Sequence, residues 1–146
     1  MADNSNGNAG IRAAGGWPLS GERKLLYNAE FAKQDEYSQG DSRIDASYAR
    51  VGPMFWLRPL HVSIDMEVLS SNDGLYGFQM PLGNNHLFQG WADQFVITPA
   101  QGLRDIYLFL GGGVGKWHWH AEYHRFRSDQ GGLTLGRELH LGILYE

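Results

Sequence analysis

The sequence predicts an all-β protein: an antiparallel up-and-down meander of about seven strands, interrupted by one long loop. Three observations lead there. Apolar and polar residues alternate with period two again and again, while the 3.6-residue helical period is nearly absent. Clusters of Gly, Pro, Asp and Ser punctuate the alternating runs. The chain also holds 20 glycines in 146 residues, about twice the usual share of ~7%, and many of them fall in those clusters. This length suits a single domain with a sizeable core.

The strands follow in order, at about residues 8–17, 23–36, 43–52, 58–70, 103–112, 116–127 and 133–145. The first sets Ala9, Ile11, Ala13 and Trp17 on one face and Arg12 on the other. In the second, Leu25, Tyr27, Ala29 and Phe31 oppose Leu26, Asn28 and Glu30. The third is untidy, and Gly52-Pro53 is expected to end or bulge it, because proline cannot donate to a ladder. The fourth sets Val62, Ile64, Met66 and Val68 against His61, Ser63, Asp65 and Glu67. In the fifth, Ile106, Leu108 and Leu110 alternate with Asp105, Tyr107 and Phe109. The sixth is the clearest, with Trp117, Trp119, Ala121 and Tyr123 opposing His118, His120, Glu122 and His124, since successive strand side chains point to opposite faces. The seventh sets Leu139, Leu141, Ile143 and Tyr145 against Glu138, His140 and Gly142.

Composition excludes several functions. A net charge of −4 argues against nucleic acid as a partner, because nucleic-acid binders carry a basic footprint. The absence of Cys removes disulfides, thiolate metal sites and cysteine nucleophiles. Alternation alone leaves two architectures. In a soluble sandwich or barrel the apolar face is buried. In a transmembrane barrel the apolar face meets lipid and the polar face lines the lumen. Three features favour the inverted arrangement. The polar faces mix acids, His, Arg and Asn with few Lys. Trp17, Trp56, Trp117 and Tyr145 stand near strand ends, as in an aromatic girdle. The strands also join consecutively, with short connections at one end and a long fourth connection, residues 70–102, at the other, as in outer-membrane barrels.

That long connection holds the most specific motifs. It contains Phe78-Gln79-Met80-Pro81-Leu82, then His86-Leu87-Phe88-Gln89-Gly90-Trp91-Ala92-Asp93-Gln94-Phe95, then Thr98-Pro99-Ala100-Gln101-Gly102-Leu103-Arg104-Asp105-Ile106-Tyr107. The run resembles the C-terminal part of the alginate-export-type family of bacterial outer-membrane porin-like proteins. The likeness extends to Tyr123-His124-Arg125-Phe126, to Gly136-Arg137-Glu138-Leu139, and back to Leu25–Gln34 and Glu67-Val68-Leu69-Ser70. It implies a barrel in the bacterial outer membrane, in contact with the lipid bilayer, whose polar lumen passes small hydrophilic solutes of anionic sugar type. Family members are longer, open with a signal peptide and usually close on an aromatic residue, whereas this chain carries no such leader and stops at Tyr145-Glu146. Seven strands also fall short of the eight of a closed bacterial barrel. The chain is therefore expected to be one segment of an incomplete barrel whose remainder lies elsewhere.

On this reading Arg12, Asn28, Glu30, Asp65, Glu67, Asp105, His118, His120, Glu122 and His140 line the pore. Within the long loop, His86–Phe95 is the one amphipathic candidate for a short helix. The loop either packs over its own strands or folds inward as a constriction, with His86, Trp91, Asp93 and Arg104 setting selectivity. No catalysis and no cofactor are expected. Asp65 and Glu67 are paired carboxylates without a partner, Ser63 with His61 and Asp65 lacks a nucleophile elbow, and Gly111-Gly112-Gly113-Val114-Gly115 lacks the Lys-Ser/Thr of a phosphate loop and reads as a turn. The alternative is a soluble antiparallel barrel that binds a metal or small ligand through the His118/His120 face, His-x-His being a recognised way to aim two imidazoles at one ion.

Overall fold

A computed structural model of the chain describes residues 5–80 and 89–146. The long strands are β1 (Asn6–Pro18), β2 (Lys24–Glu36), β3 (Asp45–Trp56), β4 (Leu60–Leu69), β7 (Leu103–Val114), β8 (Trp117–Arg127) and β9 (Thr134–Tyr145). Two short strands, β5 (Ser71–Asn72) and β6 (Tyr76–Gly77), form a ribbon inside the long connection. The seven long strands make one sheet in the order β1-β2-β3-β4-β7-β8-β9, every neighbouring pair antiparallel. The predicted meander is thus the observed one. β1 and β9 lie at opposite edges and do not pair, so the sheet is not closed.

Two local readings need correction. β3 does not stop at Gly52-Pro53 but runs on to Trp56. The β3–β4 ladder skips this dipeptide and resumes in the same register, Val51 opposite Met66 and Met54 opposite Ser63. Proline is tolerated where the ladder needs no donor, and Gly52 is required by close approach, because a Cβ there would overlap the Asp65 carboxylate. Likewise Gly111, Gly112 and Gly113 belong to β7 rather than to a turn. The turn is the two-residue link after β7, where Gly115 adopts φ +61, a conformation that suits glycine at the first position of a tight hairpin.

The two faces of the sheet differ sharply. Ile11, Ile64, Leu108, Leu139, Leu141 and Ile143 are exposed, Ile143 at 76%, whereas Glu67 and Asp105 are at 0% and His124 at 2%. The aliphatic face is therefore the exposed one, the reverse of a soluble sandwich. Trp17 stacks on Tyr27 at 4.7 Å and Trp117 tilts against Tyr145 at 4.9 Å, both near the short-turn end of that face. Trp56, expected in the same girdle, instead stacks on His61 at 4.9 Å. Its register opposite His61 places it in phase with the polar face.

The apolar core is small and sits at the opposite end. Ala46, Tyr48, Leu69, Phe78, Leu103 and Phe126 are buried there, with Tyr76, Met80 and Phe95 of the long connection packed against them. The connection thus folds back over the polar face of the sheet.

Candidate functional site

Strand register brings the polar residues together. Arg12 lies opposite Glu30, Glu30 opposite Arg50, Arg50 opposite Glu67, and Glu67 opposite Asp105. All ten residues expected to line a pore fall on this one face, because each is in phase with that row along its own strand. The sheet curls around the face, since residues of β2, β3, β4, β7 and β8, among them Asn28, Arg50, Asp65, Tyr107 and Glu122, border a single cavity of about 320 Å³. A larger cavity of about 840 Å³ lies toward the short-turn end, bordered by Trp56, His61, Phe109, His118 and His120.

Several charges in this wall are engaged with polar neighbours. Arg50 donates to the Asp65 carboxylate at 2.9 Å and to the Tyr107 hydroxyl at 3.0 Å. Ser63 donates to the other Asp65 oxygen at 2.9 Å, so Ser63, His61 and Asp65 form no relay, and His61 stacks between Trp56 and Phe109. Tyr48 donates to Glu67 at 2.8 Å. The expected pair of Asp65 and Glu67 is therefore split, each held by its own donors. His124 Nδ1 lies 2.7 Å from Asp105. Asp105 Oδ1 and His124 Nε2 have no hydrogen-bond partner among the described residues, although His124 Nε2 stands 3.6 Å from Glu122.

The long connection is anchored in this wall at both of its described ends. On the incoming side Gln34, fully buried, donates to the Gln79 carbonyl at 3.1 Å and accepts from the Gln79 N–H at 3.0 Å and the Tyr76 hydroxyl at 2.9 Å. On the outgoing side Gln89 donates to Glu67 at 3.1 Å. The Trp91 main-chain N–H donates to Glu138 at 2.6 Å, its indole N–H to Glu122 at 3.2 Å, and its ring stacks on His140 at 4.4 Å. Phe95 packs on Phe126 at 4.8 Å.

The residues expected in a constriction divide accordingly. Trp91 reaches the polar face. Asp93 is exposed in the loop. Arg104 is not in the loop at all: it stands in β7 on the exposed aliphatic face and pairs with Asp129 at 2.8 Å, because its buried neighbours Leu103 and Asp105 take the inner phase. His86 lies outside the described residues. The helix expected over 86–95 is absent from its described part, 89–95. Gln89, Gly90 and Asp93 adopt φ of 62, 83 and 52, a left-handed backbone that a right-handed helix excludes.

The histidines also regroup. His118 Nε2 lies 3.7 Å from Glu146, half-exposed. His120 Nε2 lies instead 3.3 Å from His140 Nδ1 and 3.7 Å from Glu122 Oε1, and the three side chains could hold one metal ion. Sequence reasoning misses Arg50, because the alternation along β3 is irregular, and it misses Gln34, Gln89 and Glu138, whose partners lie far along the chain. Comparison of the chain with known protein families, with curated proteins and with solved structures gave no match.

Proposed function

We propose that the chain is a segment of an outer-membrane β-barrel, forming part of the wall of a porin-like channel for passive transport of small hydrophilic solutes. The observation that carries this reading is the inversion of the sheet: aliphatic residues coat the exposed face while Glu67, Asp105 and His124 are buried on the other. A soluble protein with this arrangement would expose a continuous apolar surface to water, a liability unless something covers it. Strands of 10 to 13 residues match the roughly 9–11 residues that cross a bilayer at a tilt, and Trp17 and Trp117 suit a girdle at one interface. Open edges at β1 and β9 have no place in lipid, so further strands complete the barrel. The likeness to the alginate-export-type family supplies the expectation of anionic sugar-type solutes, and the arginines and carboxylates of the wall would give both signs of charge to select among them.

The test is reconstitution. Refolded into vesicles, the chain should have Trp17 and Trp117 quenched by brominated lipid, and the completed barrel should conduct in a planar bilayer with a conductance that changes on Asp65→Asn. A purified chain that stays monomeric in buffer without detergent sinks this reading.

A further inference from the structure

We propose that His120, His140 and Glu122 form a binding site for a borderline divalent transition-metal ion of the Zn²⁺ class, covered by Trp91. Three features of the β8–β9 hairpin build it. His120 and Glu122 are two residues apart on one face of β8, and His140 lies directly opposite Glu122 on β9. All three potential ligand atoms lie within 4.8 Å of one another.

The spacing favours an ion over a hydrogen-bond network. Two ligand atoms on a tetrahedral ion, each about 2.0–2.1 Å from it, stand about 3.4 Å apart. His120 Nε2 stands 3.3 Å from His140 Nδ1 and 3.7 Å from Glu122 Oε1. One proton on His120 Nε2 could serve only one of those neighbours, and the second distance is already long for a hydrogen bond. A single ion between them could be held by all three atoms.

The surroundings fit a metal site as well. Glu122 is oriented through its other oxygen, which accepts the Trp91 indole N–H at 3.2 Å and lies 3.6 Å from His124 Nε2. Such outer partners fix the direction of a ligating carboxylate. His120 is flanked by glycine on both neighbouring strands, Gly111 and Gly142, and a Cβ at Gly142 would overlap its imidazole. His120 also borders the cavity of about 840 Å³, which offers a path for the ion and room for water at the open coordination position. Two imidazoles and one carboxylate suit Zn²⁺, Co²⁺, Ni²⁺ or Cu²⁺. Mg²⁺ and Ca²⁺ require oxygen ligands.

The site does not depend on the face lining a channel, so its test is separate from conductance. Co²⁺ is titrated into the full chain refolded in detergent, with far-UV circular dichroism as the check on folding. One equivalent should produce visible d–d absorption, and Zn²⁺ but not Mg²⁺ should displace it. H120A and H140A should abolish the band. E122Q, which keeps the shape of the side chain, should weaken Co²⁺ binding by about tenfold or more, and W91F, which keeps an aromatic ring and loses the donor, by about tenfold. H118A should leave it unchanged. Absence of the band in folded protein overturns the proposal, as does equal loss in H118A and H120A, which would place the ion on exposed histidines.

Discussion

Arg50 and Asp65, on adjacent strands and on the buried face, are joined by a hydrogen-bonded ion pair of 2.9 Å, with side chains only 14% and 5% exposed. Removing one member of a buried pair leaves the other charge without compensation, which costs about 3–5 kcal/mol. Arg50→Ala should therefore lower the free energy of unfolding by that amount in urea titrations of the lipid-reconstituted protein. Gly52→Ala should destabilise through the same carboxylate, which its new Cβ displaces. The double variant should be less destabilised than the sum of the two, since both act on one interaction.

Glu138 holds the outgoing end of the long connection by accepting the main-chain N–H groups of Trp91 and Ala92 at 2.6 and 3.4 Å. Glu138→Ala removes both hydrogen bonds, a loss of about 0.5–1.5 kcal/mol because the exposed N–H groups can bond to water instead. Limited proteolysis within residues 70–102 should accelerate by about two- to tenfold, the factor to which that loss corresponds. An unchanged rate would mean that the loop is held elsewhere.

Leu108 is 47% exposed in the middle of β7, on the aliphatic face. If that face meets lipid, Leu108→Arg should destabilise the vesicle-inserted protein by about 2–4 kcal/mol, with a smaller effect for substitutions nearer the strand ends. A surface position in water would change by no more than about 0.5 kcal/mol. Equilibrium unfolding from vesicles separates the two outcomes.

In the link between β2 and β3, Arg43 binds Asp41 through its guanidinium and its main-chain N–H. The side-chain hydrogen bond, followed by the main-chain one, lowers the Asp41 carboxyl from 3.8 to about 2. A lowered carboxyl contributes stability that is fully present above its ordinary value and is lost as pH falls through the lowered one. The contact should thus persist at pH 3 and open near pH 2. Carboxyl-carbon NMR should give Asp41 a midpoint of about 2, and Arg43→Ala should return it toward 3.8; an unaltered midpoint contradicts the assignment.

Alternation by itself determined the seven strands and assigned residues such as Asp65, His120 and Leu108 to opposite faces, because a period of two is a local property of extended backbone. It also determined most of the chain order of the meander, since short turns force neighbours to pair, whereas the pairing of β4 with β7 across residues 70–102 has no short turn to enforce it. It could not determine which face is buried, because the same alternation serves a sandwich and a membrane barrel. That was decided by the curl of the sheet and by the return of the long connection, which carries Gln89 to Glu67 and Trp91 to Glu122 and Glu138. Nor could spacing along one strand pick the histidine cluster. His118 and His120 are neighbours in sequence, but His118 Nε2 stands 3.7 Å from Glu146 whereas His120 Nε2 stands 3.7 Å from Glu122. The cross-strand register instead puts His140 beside His120 and Glu122. Contacts between residues distant in the chain depend on register and closure, and these exist only once the sheet has formed.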